Sequence, residues 1–170
     1  MAPSPSSRAP FSIATLALEK GARIGLCRMP GRTGDLSGDV AVLAQWNPRL
    51  VVSMTELVEM QVCALEAALA KRGIGWVHFP IRDFGAPETS DKRWSPLATH
   101  LHHALNAGEG VLLHCMGGLG RSGMIAMRLM VERGAKPAEA LTALRAARPG
   151  AVETKAQESW AAMERVPPTD

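Results

Sequence analysis

Apolar residues fall in short runs separated by glycine, proline and charge, and the runs alternate between two periods. Ser12 to Leu18 and Arg23 to Cys27 flank Glu19-Lys20-Gly21 and predict a β-hairpin with the glycine in its turn. Pro30, Gly31, Gly34 and Gly38 predict a loop. Val40, Leu43 and Trp46 then recur at helical spacing and stop before Pro48. Leu50 to Met54 reads as a buried strand, and a helical region opening at Thr55 includes Leu65 to Lys71 and ends at Gly73. Ile74 to Phe79 is a second buried strand, closed by Pro80, and a polar loop runs from Arg82 to Trp94. A helix with Pro96 near its start reaches Ala107, where Gly108 and Gly110 end it. Val111 to Cys115 is a third apolar strand. Helices over 122–133, 137–147 and 154–165 complete the chain. Strands alternating with helices predict an α/β domain, with about five strands in a central, largely parallel sheet flanked by helices.

Composition narrows this picture. The chain has 170 residues, 46% hydrophobic and 21% charged, the balance of one globular domain with a core of its own. Residues 1–10, rich in proline and serine, read as a flexible tail, and 11–170 as the domain. The net charge is +3 and the cations are scattered, so no nucleic-acid partner is expected. No apolar run reaches the length of a membrane span or of a signal-peptide core, which predicts a cytoplasmic protein without membrane contact. Three cysteines, Cys27, Cys63 and Cys115, are too few for a disulfide scaffold and lack zinc spacing. No metal or cofactor is expected, and the chain is expected to be a monomer.

The chemistry concentrates in His114-Cys115-Met116-Gly117-Gly118-Leu119-Gly120-Arg121-Ser122-Gly123. A strand enters this stretch and a helix leaves it. Its glycines let the backbone approach a ligand closely, and successive N–H groups can form a concave anion nest at the positive helix end. Phosphate and similar tetrahedral anions such as vanadate fit such a nest. The same field favours a thiolate, so Cys115 is expected to be ionised at neutral pH. Arg121 can aim a planar fork at two oxygens of the anion above the sulfur. Ser122 is placed to donate its hydroxyl to that sulfur, and His114 to orient the loop through its backbone. A nucleotide-binding P-loop is excluded in its usual form, since Gly-Lys-Ser/Thr is missing.

HCMGGLGRSG resembles the Cys-x5-Arg signature loop of the protein tyrosine phosphatase superfamily. The chain's size is similar to the dual-specificity branch. Its FPIRDFGAP, HCMGGLGRSG and RPGAVET with Gln157 are most similar to the cyclin-dependent kinase-associated phosphatase group. The resemblance implies a general acid on an upstream loop, and Asp83 in FPIRDFGAP matches it; Asp91, in a charged run, is the rival. It also implies attack by Cys115 on phosphorus, a phosphocysteine intermediate, and stabilisation of equatorial oxygens by Arg121 and the amides of Met116, Gly117, Gly118, Leu119, Gly120 and Arg121. Glu153 and Thr154 are expected to cap the last helix, with positioning of water by Gln157 as a further role.

The implied substrate is a phosphorylated protein or peptide, carrying phosphotyrosine and also phosphoserine or phosphothreonine. No cation lies between Cys115 and Arg121, which ranks a phosphoinositide or other small phosphomonoester lower. The alternatives of another class are a phosphate-binding module without turnover and a sulfur-transferring cysteine loop. His100, His102 and His103 are expected to be solvated, and the tryptophans to pack in the core or rim, with Trp94 closest to the acid loop. Cys27 and Cys63 read as small core residues, with a disulfide to Cys115 under oxidation as the other use of either.

Overall fold

The computed structural model describes residues 9–60 and 62–164, except the side chains of 62 and 63. Most of the 1–10 tail, and Cys63, therefore lie outside the described residues. Five strands form one sheet in the order β1-β2-β5-β3-β4: β1 Ala14–Ala17, β2 Arg23–Arg28, β3 Leu50–Ser53, β4 Gly75–His78 and β5 Gly110–Cys115. Only β1 runs antiparallel, paired to β2 across a single-turn 3₁₀ segment, Glu19–Gly21; the other neighbours are parallel. The helices are α1 Leu36–Trp46, α2 Val62–Ala70, α3 Trp94–Asn106, α4 Gly120–Glu132, α5 Pro137–Ala147 and α6 Lys155–Ala161.

Both faces of the sheet are covered, which is why its strands read as almost continuous apolar runs. Along β5 the side chains alternate. Val111, Leu113 and Cys115 enter a core shared with α3 to α6, while Leu112 enters one shared with α1 and α2. Cys27 belongs to the second core, so it lies on the opposite side of the sheet from Cys115. Both thiols are free. Desolvation pushes the Cys27 thiol far above its usual range, the mark of an inert packing residue.

The central strand β5 lies between β2 and β3, where the chain's order across the sheet changes direction. In open parallel sheets a crevice forms beyond the strand ends at that point. The glycine-rich stretch after Cys115 leaves β5 there.

The helix expected from Thr55 is interrupted. Leu57–Glu59 forms a 3₁₀ turn, and Met60 returns to extended geometry (φ −141°, ψ 155°) before α2 begins. Glu56 and Glu59 close this turn reciprocally, each side chain accepting from the other's backbone. α3 begins at Trp94, ahead of Pro96, which stands in its first turn. α6 ends at Ala161 instead of 165, and its N-cap is Thr154 with Gln157 completing the capping box; Glu153 is not the cap.

Candidate active site

Met116 to Leu119 form the turn between β5 and α4. Every carbonyl of this turn is engaged from outside. Met116 O accepts from Met29 N at 3.1 Å and from Arg32 Nη1 at 3.2 Å. Arg148 donates through Nη2 to Gly117 O at 2.8 Å and through Nε to Gly118 O at 3.2 Å. Leu119 O accepts from Val152 N at 3.1 Å and Gly123 N at 3.0 Å. The peptides are trans, so each outward carbonyl turns the following amide inward. Such amides, at the first turn of α4, are suited to form an anion nest.

Gly118 has φ +72°, and a Cβ there would sit 2.6 Å from Cys27 O in the neighbouring strand, so only glycine permits this approach. Val152 is a β-branched residue at φ +63°, a costly conformation. Arg145 secures that segment by donating to Ala151 O and Val152 O. The strained segment lies directly behind the loop.

Cys115 is 3% exposed at the loop's entrance. His114 faces the other way, fully buried, and joins a chain of hydrogen bonds. Trp76 Nε1 donates to Ser53 Oγ at 2.8 Å, Ser53 Oγ lies 2.5 Å from His114 Nε2, and His114 Nδ1 lies 3.4 Å from Cys115 O. The donor-only indole and the carbonyl acceptor assign Nδ1 as the protonated nitrogen, with Nε2 accepting from Ser53. Burial lowers the His114 pKa to about 4, which keeps the ring neutral. The chain of contacts thus runs from Trp76 on β4 through Ser53 and His114 to the Cys115 carbonyl.

Arg121 is 1% exposed. Its two terminal nitrogens each donate to Glu59 at 2.8 Å, a bidentate pair, and Nη1 also reaches Ile81 O at 3.0 Å. Burial opposes its charge most strongly, but the Glu59 hydrogen bonds and the nearby charges of Cys115, Glu59 and Asp83 together outweigh it and raise the Arg121 pKa. The hydrogen bonds from Arg121 hold the Glu59 carboxyl below its ordinary range. The guanidinium is thus fixed from behind by Glu59. Its Nε, buried, has no partner among the described residues, and neither does buried Ser122 Oγ. Each is a donor available to a group at the loop. A hydrogen bond from Ser122 to the Cys115 sulfur is not among those formed.

Asp83 lies 3.3 Å from Arg121 Nη2, with its side chain half exposed. The acid loop is tied down at α6: Thr154 Oγ1 donates to Phe84 O at 3.3 Å, and Gln157 Nε2 to Gly85 O at 3.2 Å. Gln157 Oε1 accepts from Glu153 N and Thr154 N. Gln157 is fully buried, so it holds the acid loop to α6. Asp91 instead pairs with Arg93, which lowers its pKa and leaves it structural. The structure therefore brings Cys115, Arg121, Ser122, Asp83, His114 and Gln157 to one end of the sheet, and adds Glu59 and Arg148, whose roles sequence reasoning missed.

The expectation that the helix histidines are solvated fails at His102, which is 7% exposed with its Nε2 2.8 Å from Glu132 Oε2. Trp94 packs in the core, as expected of the tryptophans. It is buried, edge-on to Trp160 and Phe79, and donates to Glu132 Oε1 at 2.9 Å.

No described helix is long and apolar enough to cross a membrane. Among the described residues no group of His, Cys, Asp and Glu is arranged to hold a metal ion.

Comparison with known proteins agrees with this geometry. Residues 25–135 match the family model described as "Polymorphic toxin system, DSP-PTPase phosphatase". A putative tyrosine phosphatase, 067L, of Invertebrate iridescent virus 3 is 34% identical over 91 residues, covering 50% of this chain and 38% of that protein; the chain thus spans well under half of that relative's length. Kinase associated phosphatase, solved with serine in place of its catalytic-site cysteine, superposes with a TM-score of 0.77 at 25% identity, over 91% of this chain and 94% of that one. Tk-PTP in its active form gives 0.67 at 31% identity, over 86% and 92%. The chain belongs to the family of dual-specificity and tyrosine phosphatases.

Proposed function

We propose that the protein is a cysteine-dependent phosphatase that hydrolyses phosphotyrosine, and also phosphoserine and phosphothreonine, in proteins or peptides. The carrying observation is the loop itself: its carbonyls are tied outward around Cys115, and Arg121, fixed by Glu59, keeps Nε unpartnered. The Cys115 sulfur attacks phosphorus, and the P–O bond to the substrate breaks. Asp83 gives its proton to the departing oxygen. The amides of residues 116 to 121 and Arg121 stabilise the equatorial oxygens of the transferring group. Water then attacks the phosphocysteine and gives a proton to the Asp83 carboxylate. The S–P bond breaks, Ser122 donating to the leaving sulfur, and inorganic phosphate departs.

Phe84 supports the phosphotyrosine branch. It follows Asp83 directly, is 58% exposed, and holds φ +59°, a conformation bulky residues avoid. An aromatic face displayed beside the acid is a surface on which a phenyl leaving group can stack.

The test is turnover of p-nitrophenyl phosphate and of phosphopeptides. Cys115→Ser should abolish it, by about 10⁴-fold or more, while retaining affinity for vanadate or phosphopeptide. Asp83→Asn should lower kcat by about 10²–10⁴-fold for poor leaving groups. Undiminished turnover in Cys115→Ser would overturn the mechanism. Tight phosphopeptide binding by the wild type without phosphate release would replace it with a binding module.

A further inference from the structure

A groove of about 470 Å³ adjoins the catalytic loop, between the segment following β2 and the 3₁₀ turn at Leu57–Glu59. Its lining includes Pro30, Leu36, Val58, Met60 and Leu65, with Arg32 as its cation and Glu59, already paired with Arg121, as its anion. Both walls hang on the residues proposed to hold phosphate. On one side Met29 N and Arg32 Nη1 donate to Met116 O, one residue beyond Cys115. On the other, Glu59 carries the Arg121 guanidinium. The groove therefore lies beside the loop, joined to it through these contacts.

Its rim exposes what a folded chain ordinarily covers. Val58 is 92% exposed and Leu57 64%, the two largest exposures among the bulky hydrophobics. They are held out by a turn whose Glu56 and Glu59 cap each other. Single exposed aliphatics are commonplace; a pair held out at the edge of a hollow of mixed apolar and polar lining is the kind of feature a contact surface presents.

We propose that this groove receives the polypeptide flanking the phosphorylated residue, and that it selects an apolar side chain there, seated against Val58, Leu36 and Met60. The proposal rests on the phosphatase reading above. With the phosphate on the loop, the substrate's main chain must leave across one of the adjoining walls, and this wall offers a hollow of side-chain size. Arg32 adds a positive charge that disfavours lysine or arginine and favours a carboxylate in the same flank. A membrane surface would need a cluster of cations on a flat face, whereas this hollow is concave and offers Arg32 alone.

The experiment uses phosphotyrosine peptides that differ only in leucine or serine at each flanking position, with p-nitrophenyl phosphate as a substrate that lacks flanks. The wild type should favour leucine at one flank by about tenfold in kcat/KM, the size of effect a small apolar pocket gives. Val58→Ser should remove that preference and leave p-nitrophenyl phosphate turnover unchanged. Val58→Ile should keep it. Equal rates for all peptides in the wild type would overturn the proposal, as would a preference that survives both Val58→Ser and Leu36→Ser. A wild-type dimer in sedimentation that Val58→Ser dissociates, with peptide selectivity untouched, would assign the groove to a second copy and also overturn it. Absence of any p-nitrophenyl phosphate turnover in the wild type would strike the phosphatase reading itself, a result distinct from lost selectivity.

Discussion

Helix α4 carries two buried arginines, each paired with a glutamate, and they differ in what they leave unbonded. Arg128 donates to Glu132 at 2.8 Å and to Trp160 O at 2.9 Å, and its guanidinium lies over the rings of Trp94 and Trp160. Glu132 also takes bonds from His102 and Trp94, and no buried side-chain nitrogen or oxygen of this cluster is left without a partner. Arg121 is as firmly held by Glu59, yet its Nε remains unpartnered in a buried position next to the loop. Burying a donor without an acceptor is costly. The Arg128 pair leaves no buried donor unbonded, whereas the Arg121 pair holds both terminal nitrogens and leaves Nε without a partner.

Conservative replacement should separate the two. Arg121→Lys keeps charge but loses the fork, and kcat/KM should fall by about 10²–10³-fold with little change in melting temperature. Arg128→Met should do the reverse: it strips Glu132 of a buried partner at a cost of about 3–5 kcal/mol, or a Tm lower by roughly 10 °C, with activity per folded molecule retained. If Arg128→Met lost activity without losing stability, the division of labour along α4 would be wrong.

Acid should strike both regions, in different windows. Burial holds His114 neutral with a pKa of about 4, below the unfolded value near ~6.5. The unfolded chain therefore binds the extra proton between those values, and stability falls as pH drops from about 6.5 towards 4. Burial would raise the Glu132 carboxyl, but the hydrogen bonds from His102, Trp94 and Arg128 outweigh it and bring its pKa to about 2. Its stabilisation is present above the unfolded value near ~4.3 and is lost as pH falls from there towards 2. Urea denaturation across pH 7 to 3 should show the His114 slope first, and a flat profile above pH 4 would exclude it. The smallest effect is expected at Gln157. Gln157→Ala releases Gly85 O and opens the capping box, costing about 1 kcal/mol. It should lower kcat a few-fold for substrates that need the acid and hardly at all for p-nitrophenyl phosphate, whose leaving group needs little protonation; equal losses for both would place Gln157 elsewhere in the reaction.

The sequence disclosed what is local. Cys115, the glycines and Arg121 sit in ten consecutive residues, and strand–loop–helix is written in the same stretch, so both the nest and its place after β5 could be anticipated. The hairpin and the parallel strands followed from apolar runs bounded by glycine and proline. Glu59 was hidden because its partner lies 62 positions away, and because 55–71 reads as one helical region. The reciprocal Glu56 and Glu59 spacing was the available sign of a separate turn. His102 was obscured by its neighbours His100 and His103. Its place four residues after Ala98, on the buried face of α3, was the overlooked signal. Arg148 stands out only once the loop's carbonyls are seen to need donors.

Those carbonyls have a thermodynamic consequence. Met29, Arg32, Val152 and, through two nitrogens, Arg148 hold the turn from outside, so an arriving anion has little chain to order. A preformed receptor of this kind recognises tetrahedral shape and charge before it recognises what is attached. Inorganic phosphate, the product, fits it as well as a substrate's phosphoryl group does. For the proposed reaction, sensitivity to product is thereby built into the same five contacts that make the loop ready, and discrimination among substrates passes to the surfaces around it.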